Sequence, residues 1–145
     1  MENKAISPKR KATRLKNFNY GSTGAYFLTI CTEGRKSILS TIVGEGSPLP
    51  QLSSYGKIVD VWIQKIPEKY PQVSVDCYVI MPNHIHILLS ILNDNGRGDP
   101  SPTVTAVIAW LKYQTTKEIN RIRGSANEAI FQRSFFDHII RNRDD

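Results

Sequence analysis

A hydrophobic spacing that changes from strand period to helix period and back, two apolar runs joined by a three-residue turn, and a long amphipathic stretch capped at both ends predict an α+β domain. The expected architecture is a ferredoxin-like antiparallel sheet in split βαβ order, with helices on one face and an added N-terminal hairpin. A chain of 145 residues suits one such domain with one core. The expected division is a basic N-terminal arm over 1–19 and a single domain over 20–145.

The elements follow in order. Residues 25–32 are rich in β-branched and aromatic types and bounded by Gly24 and Gly34, which predicts a strand buried on both faces along most of its length. Residues 38–53 predict a small hairpin around a Gly-Glu-Gly-Ser-Pro turn. From Ser54 the period lengthens: Ile58, Val61, Trp62 and Ile66 mark an amphipathic helix, capped by Ser53 or Ser54 and stopped near Tyr70 by Pro71. Residues 73–80 and 84–91 predict two strands, and the short turn Met81-Pro82-Asn83 makes them antiparallel neighbours. Residues 93–102, dense in Asn, Asp, Gly and Pro, predict a loop. Thr103 caps the longest helix, Val107, Ile108, Leu111, Ile119 and Ile122 form its buried face, and Gly124 ends it. Residues 130–140 predict a last strand. Trp62 and Trp110 read as packing residues.

Composition narrows the function classes. Hydrophobic residues make up 40% and charged residues 22%, ordinary values for a globular protein. No apolar run approaches the roughly 18–20 residues that span a membrane, and the polar, basic N-terminus is unlike a secretory signal, so a cytoplasmic protein is expected. Cys31 and Cys77 lie far apart in apolar strands, outside any C-x-x-C pair, and read as two buried reduced thiols. The net charge of +6 favours an anionic partner, with nucleic acid the commonest. The cations cluster. Lys4, Lys9, Arg10, Lys11, Arg14 and Lys16 form the arm, Lys117, Arg121 and Arg123 follow the long helix, and Arg133, Arg141 and Arg143 close the chain. The arm reads equally well as a phosphate-binding segment or as a solvated one.

The chemically informative stretch is His84-Ile85-His86. On a strand, residues i and i+2 share a face at a separation of roughly 6.6 Å, close enough for two imidazoles to converge on one divalent ion. Ile85 and Ile87 then point into the core. Spacing alone favours a pair of surface or half-buried histidines over a metal site, because a metal site normally needs a third ligand. The sequence holds three histidines, and His138, in the last strand, is the candidate third ligand or a partner beside the site.

Met81-Pro82-Asn83-His84-Ile85-His86 resembles the HUH motif (His, bulky apolar, His) of the single-tyrosine transposases, the REP-associated tyrosine transposases in particular. Further blocks match in order. Residues 26–32 resemble the family's first strand, Arg35-Lys36 the basic pair after it, residues 55–59 the opening of its first helix, and residues 131–142 its last strand and exit. The resemblance covers about residue 20 to 145. It implies a DNA transposase domain that binds single-stranded or hairpin DNA and cuts and rejoins it through a 5′-phosphotyrosine intermediate. It also implies His84 and His86 as catalytic metal ligands for Mg²⁺ or Mn²⁺. The candidate DNA-binding residues are Lys9, Arg10, Lys11, Arg14, Lys16, Arg35, Lys36, Arg133 and Arg141.

The resemblance also implies a departure. In the family the nucleophilic tyrosine lies on a helix after the Ile-Arg-Asn segment, whereas this sequence ends at Asp145. Tyr20, Tyr26, Tyr55, Tyr70, Tyr78 and Tyr113 stand elsewhere, so strand cleavage by this chain alone is not expected, with Tyr113 on the long helix the only stand-in considered. Three readings stay open: a transposase domain without its tyrosine helix, a non-catalytic hairpin-DNA-binding module, and an unrelated metal-dependent hydrolase. Monomer and homodimer are equally compatible with the sequence.

Overall fold

The computed structural model of the chain describes residues 24–42, 50–92, 102–125 and 127–140. In chain order the elements are β1 (Gly24–Cys31), a 3₁₀ turn (Glu33–Arg35), β2 (Ser40–Thr41), β3 (Gln51–Leu52), α1 (Ser54–Gln64), α2 (Ile66–Lys69), β4 (Val73–Ile80), β5 (His84–Ile91), α3 (Val104–Arg123) and β6 (Phe136–Ile140). The four long strands form one antiparallel sheet in the order β4-β5-β1-β6. The unit β1-α1-β4 straddles β5, and β5-α3-β6 straddles β1. Two interleaved split βαβ units result, as predicted. β2 and β3 pair as the expected hairpin.

Strand alternation gives the sheet two unlike faces. Tyr26, Leu28 and Ile30 of β1 and Ile85, Ile87, Leu89 and Ile91 of β5 are completely buried on the side the helices cover. The other face carries His84, His86, Leu88 and Ser90 from β5 and Phe27 and Thr29 from β1. The expectation that β1 is buried on both faces is therefore corrected: Phe27 is 38% exposed, because both helices lie on one side. Cys31 is buried as expected; Cys77 is exposed, since its position on β4 turns it away from the core.

The helices follow their caps. Ser53 Oγ accepts from Gly56 N at 3.1 Å, and Thr103 Oγ1 from Ala106 N at 3.1 Å. Gly124, at φ 76, closes α3 in the left-handed conformation. Thr103→Ala should cost about 1 kcal/mol, read as a melting temperature lower by a few degrees. The single helix expected from Ser54 to Tyr70 is broken at Lys65. Pro67 has no N–H for the Ile63 carbonyl and its ring crowds that turn, so the chain restarts as α2. Two predicted core positions are also corrected. Val61 is 48% exposed, the buried row of α1 being Val59 and Ile63; Ile122 is 49% exposed although it continues the buried face of α3, because it lies in the last turn, next to the Gly124 cap. Trp62 and Trp110 do pack, edge to face at 5.7 Å, and Trp62 Nε1 donates to Glu118 Oε1 at 2.8 Å.

The last strand is shorter than the predicted 130–140. Phe131 makes one isolated bridge to Thr32, and regular pairing with β1 begins only at Phe136. The reason is Lys112. Its ammonium gathers the carbonyls of Gln132, Arg133 and Ser134 at 2.8, 3.1 and 3.2 Å, so this stretch curls about a cation instead of extending. Among the described residues no helix is long and apolar enough to cross a membrane.

Candidate functional site

The turn before β5 is clamped from two sides. Asn83 O accepts from both Thr32 N (3.0 Å) and Thr32 Oγ1 (3.1 Å), Pro82 O accepts from Leu39 N (3.0 Å), and Met81 N donates to His84 O (2.8 Å). The two histidines that leave this turn share the open face of the sheet, their ring centroids 4.7 Å apart and their planes at 74°.

Each imidazole is oriented by a partner at Nδ1. His84 Nδ1 lies 2.8 Å from Asn83 Oδ1, and the Asn83 amide is itself oriented by donating Nδ2 to Arg35 O at 3.5 Å. A carbonyl oxygen only accepts, so the proton of His84 sits on Nδ1 and its lone pair on Nε2. His86 Nδ1 lies 3.0 Å from Thr29 Oγ1, its cross-strand neighbour, which can accept in the same way. The His86 ring also stacks on Phe27 at 5.2 Å and 20°.

Electrostatics favour the neutral rings. Burial pushes the His84 pKa below the ordinary imidazole value and the Arg35 guanidinium lowers it further; burial and then His84 do the same for His86. Two neutral imidazoles side by side, each with an ordered Nδ1 partner, are a donor pair suited to a borderline or hard divalent cation. Among the described residues no group of three or more His, Cys, Asp or Glu side chains could hold a metal ion.

The other predicted site residues are dispersed. Arg35, at φ 55, reaches back so that its Nη1 contacts Cys31 Sγ at 3.3 Å beside His84. Lys36 lines a small cavity with Tyr55 and Arg123, and Arg133 lines a groove against α3. Lys9, Arg10, Lys11, Arg14, Lys16 and Arg141 lie outside the described residues, as does the side chain of His138, whose backbone pairs with Phe27 in β6. Tyr113 is 61% exposed on α3, in the helix layer across the sheet from the histidines. Tyr78 donates to Asp60 on the helix side, its pKa raised by burial and then by that bond. Among the described residues no tyrosine stands on the histidine face. Thr29, Asn83 and Phe27 were not singled out by sequence. Asn83 is adjacent to His84 and open to suspicion; Thr29 and Phe27 become partners only through the β1–β5 register.

This sheet order, with its helices on one face, is shared with solved transposase structures. A REP-associated tyrosine transposase bound to a REP hairpin superposes with a TM-score of 0.53 at 18% identity, over 89% of this chain and 63% of that one. The chain thus spans less than two thirds of that structure's length. A candidate transposase from Deinococcus radiodurans R1 superposes with a TM-score of 0.55 at 12% identity, over 90% of this chain and 89% of that one. In sequence, the chain is 30% identical over 148 residues to an uncharacterised protein of Haemophilus influenzae (strain ATCC 51907 / DSM 11121 / KW20 / Rd), covering 92% of this chain and 79% of the relative; it belongs to that protein's family. No family model matches the chain.

Proposed function

We propose that the domain serves DNA transposition: it binds single-stranded or hairpin DNA on the open sheet face and takes part in metal-dependent cleavage and rejoining through a 5′-phosphotyrosine intermediate. The observation that carries this reading is the oriented histidine pair, two neutral imidazoles 4.7 Å apart with both Nδ1 positions engaged, on a transposase fold. His84 and His86 would hold Mg²⁺ or Mn²⁺ through Nε2. When bound, the ion supplies Lewis-acid stabilisation of charge on a scissile phosphate oxygen. The chain's own part is to fix both rings and to keep them neutral. Arg35, beside His84, adds a guanidinium suited to phosphate. The attacking tyrosine comes from outside the described residues.

The runner-up is a hairpin-DNA-binding module without chemistry, favoured by the lack of a tyrosine on the histidine face among the described residues. The two separate in one experiment. The purified chain is incubated with labelled hairpin DNA and Mn²⁺, then denatured. A protein–DNA adduct supports the transposase; a salt-sensitive band shift without adduct supports the binding module; the absence of both adduct and shift defeats both readings. Thr29→Val should weaken Mn²⁺ binding about 10–100-fold, the usual effect of losing a partner that orients a ligand, in a calorimetric titration with the fold intact.

A further inference from the structure

A second basic surface lies across the sheet from the histidines. The outer side of α3 and the curled segment before β6 enclose a groove of about 690 Å³. Its floor is apolar, with Ile108, Ala109 and Phe135; its walls carry Lys112, Lys117, Arg121 and Arg133 and, among the described residues, no carboxylate. The nearest acid of α3, Glu118, is turned aside by Trp62 Nε1 and faces Arg121 at 3.6 Å. Tyr113, 61% exposed at the rim, holds Lys117 Nζ 5.6 Å from its ring centroid.

These groups differ in what they can offer a ligand. The three N–H donors of Lys112 are committed to carbonyls, so this lysine shapes the wall and contributes only charge. Lys117 and Arg133 stand at the rim, and Arg121 keeps one loose ion pair, so these are the cations open to phosphates. Tyr113 offers a broad aromatic face to a base. The wall also holds an unsatisfied acceptor: Asn120 is 5% exposed, its Nδ2 donates to Glu128 O at 3.0 Å, and its Oδ1 has no partner. Cations without acids and an exposed ring in one groove match the requirements of a single-stranded nucleic acid, whose backbone needs charge and whose unstacked bases need a platform.

From these features we infer that the α3 groove is a second DNA site, which takes the single-stranded segment flanking a hairpin: Lys117 and Arg133 contact phosphates and Tyr113 stacks a base. The inference rests on the DNA reading given above and extends it to the opposite side of the domain. The test uses the full chain and two fluorescent probes, a hairpin with a single-stranded tail and the same hairpin blunt-ended, each titrated from 50 to 200 mM salt. The Lys117→Gln/Arg133→Gln double variant should bind the tailed probe at least tenfold more weakly. Its log–log salt slope should be shallower by roughly 1.4, at about 0.7 for each single-strand phosphate that is no longer neutralised. Tyr113→Leu should lose on the order of tenfold without a change in slope, and Tyr113→Phe should bind like the parent, since stacking needs the ring and not the hydroxyl. Unchanged binding of the tailed probe in the double variant would overturn the inference while leaving the DNA reading standing. Equal losses on the blunt probe would overturn the single-strand assignment. A parent chain that binds neither probe would overturn both readings. Unchanged melting temperatures exclude unfolding as the cause of any loss.

Discussion

Replacing either histidine of the pair by alanine is expected to abolish Mn²⁺ binding measured by calorimetry and, where the attacking tyrosine is supplied, to lower metal-dependent strand cleavage by about three orders of magnitude. The magnitude follows from the several kcal/mol that Lewis-acid stabilisation supplies at a phosphoryl oxygen, at 1.36 kcal/mol per tenfold. His84→Ala and His86→Ala should nevertheless fold. Both side chains face the open side of the sheet, and the core contacts of β5 come from Ile85, Ile87, Leu89 and Ile91, all fully buried. The two variants should differ in a second respect. His86 is wedged between Phe27 and Thr29, so its loss also frees the Phe27 ring, whereas loss of His84 leaves only the Asn83 amide without its partner. Asn83→Ala should then act in the same direction as His84→Ala but more weakly, because the ligand remains and only its orientation is lost. Mn²⁺ binding that persists in both histidine variants would dismiss the metal site. The DNA reading would stand in that case, because Arg35 and the other cations bind phosphate without a metal.

Much of this architecture was legible because it rests on local signals. The β4 and β5 bounds follow from two apolar runs around Met81-Pro82-Asn83, and the α3 bounds from Thr103 and Gly124, residues whose capping chemistry is local. The histidine pair was legible for the same reason, since the two-residue period of a strand needs no tertiary knowledge. What failed depended on contacts distant in sequence. Lys112 shortens β6 from 20 residues away in the chain, with a hydrogen bond that no propensity encodes. Phe27 read as core because its neighbours are core, and only the one-sided helix layer leaves it open. Val61 and Ile122 are apolar at helical spacing, yet Val61 lies opposite the buried row of α1 and Ile122 sits in the last turn of α3. Thr29 was invisible as a site residue, since its role exists only once β1 pairs β5 in register with His86. The Pro67 break, by contrast, had a local signal: a proline four residues after Ile63 forbids a continuous helix.

Gly56→Ala is expected to be the most damaging glycine-to-alanine change among the described residues, although Gly56 lies in an ordinary helical conformation. A Cβ at this position would stand 2.1 Å from the Leu39 carbonyl oxygen and 3.3 Å from Leu52 Cβ. The first contact is with backbone, so no side-chain rotation relieves it; either α1 or the 38–40 segment must move. That carbonyl is also an acceptor, taking Ser53 N at 2.9 Å and Ser53 Oγ at 2.9 Å, and Ser53 is the N-cap of α1. The displacement therefore removes a cap and a close packing contact together, at a combined cost of roughly 2–4 kcal/mol, seen as a melting temperature lower by on the order of 10 °C. The damage should also reach the histidines. Leu39 N donates to Pro82 O and Ser40 Oγ to Ile80 O at 2.9 Å, so the strand that the new methyl pushes is the strand that holds the turn ahead of His84. Below its melting point the variant should bind Mn²⁺ more weakly than the parent. Ser53→Ala, which removes the cap without the clash, should lose about 1 kcal/mol and keep near-parental metal affinity. Equal stability of Gly56→Ala and the parent would mean that the 38–40 segment yields freely, and the proposed mechanical link between the hairpin and the histidine turn would have to be given up.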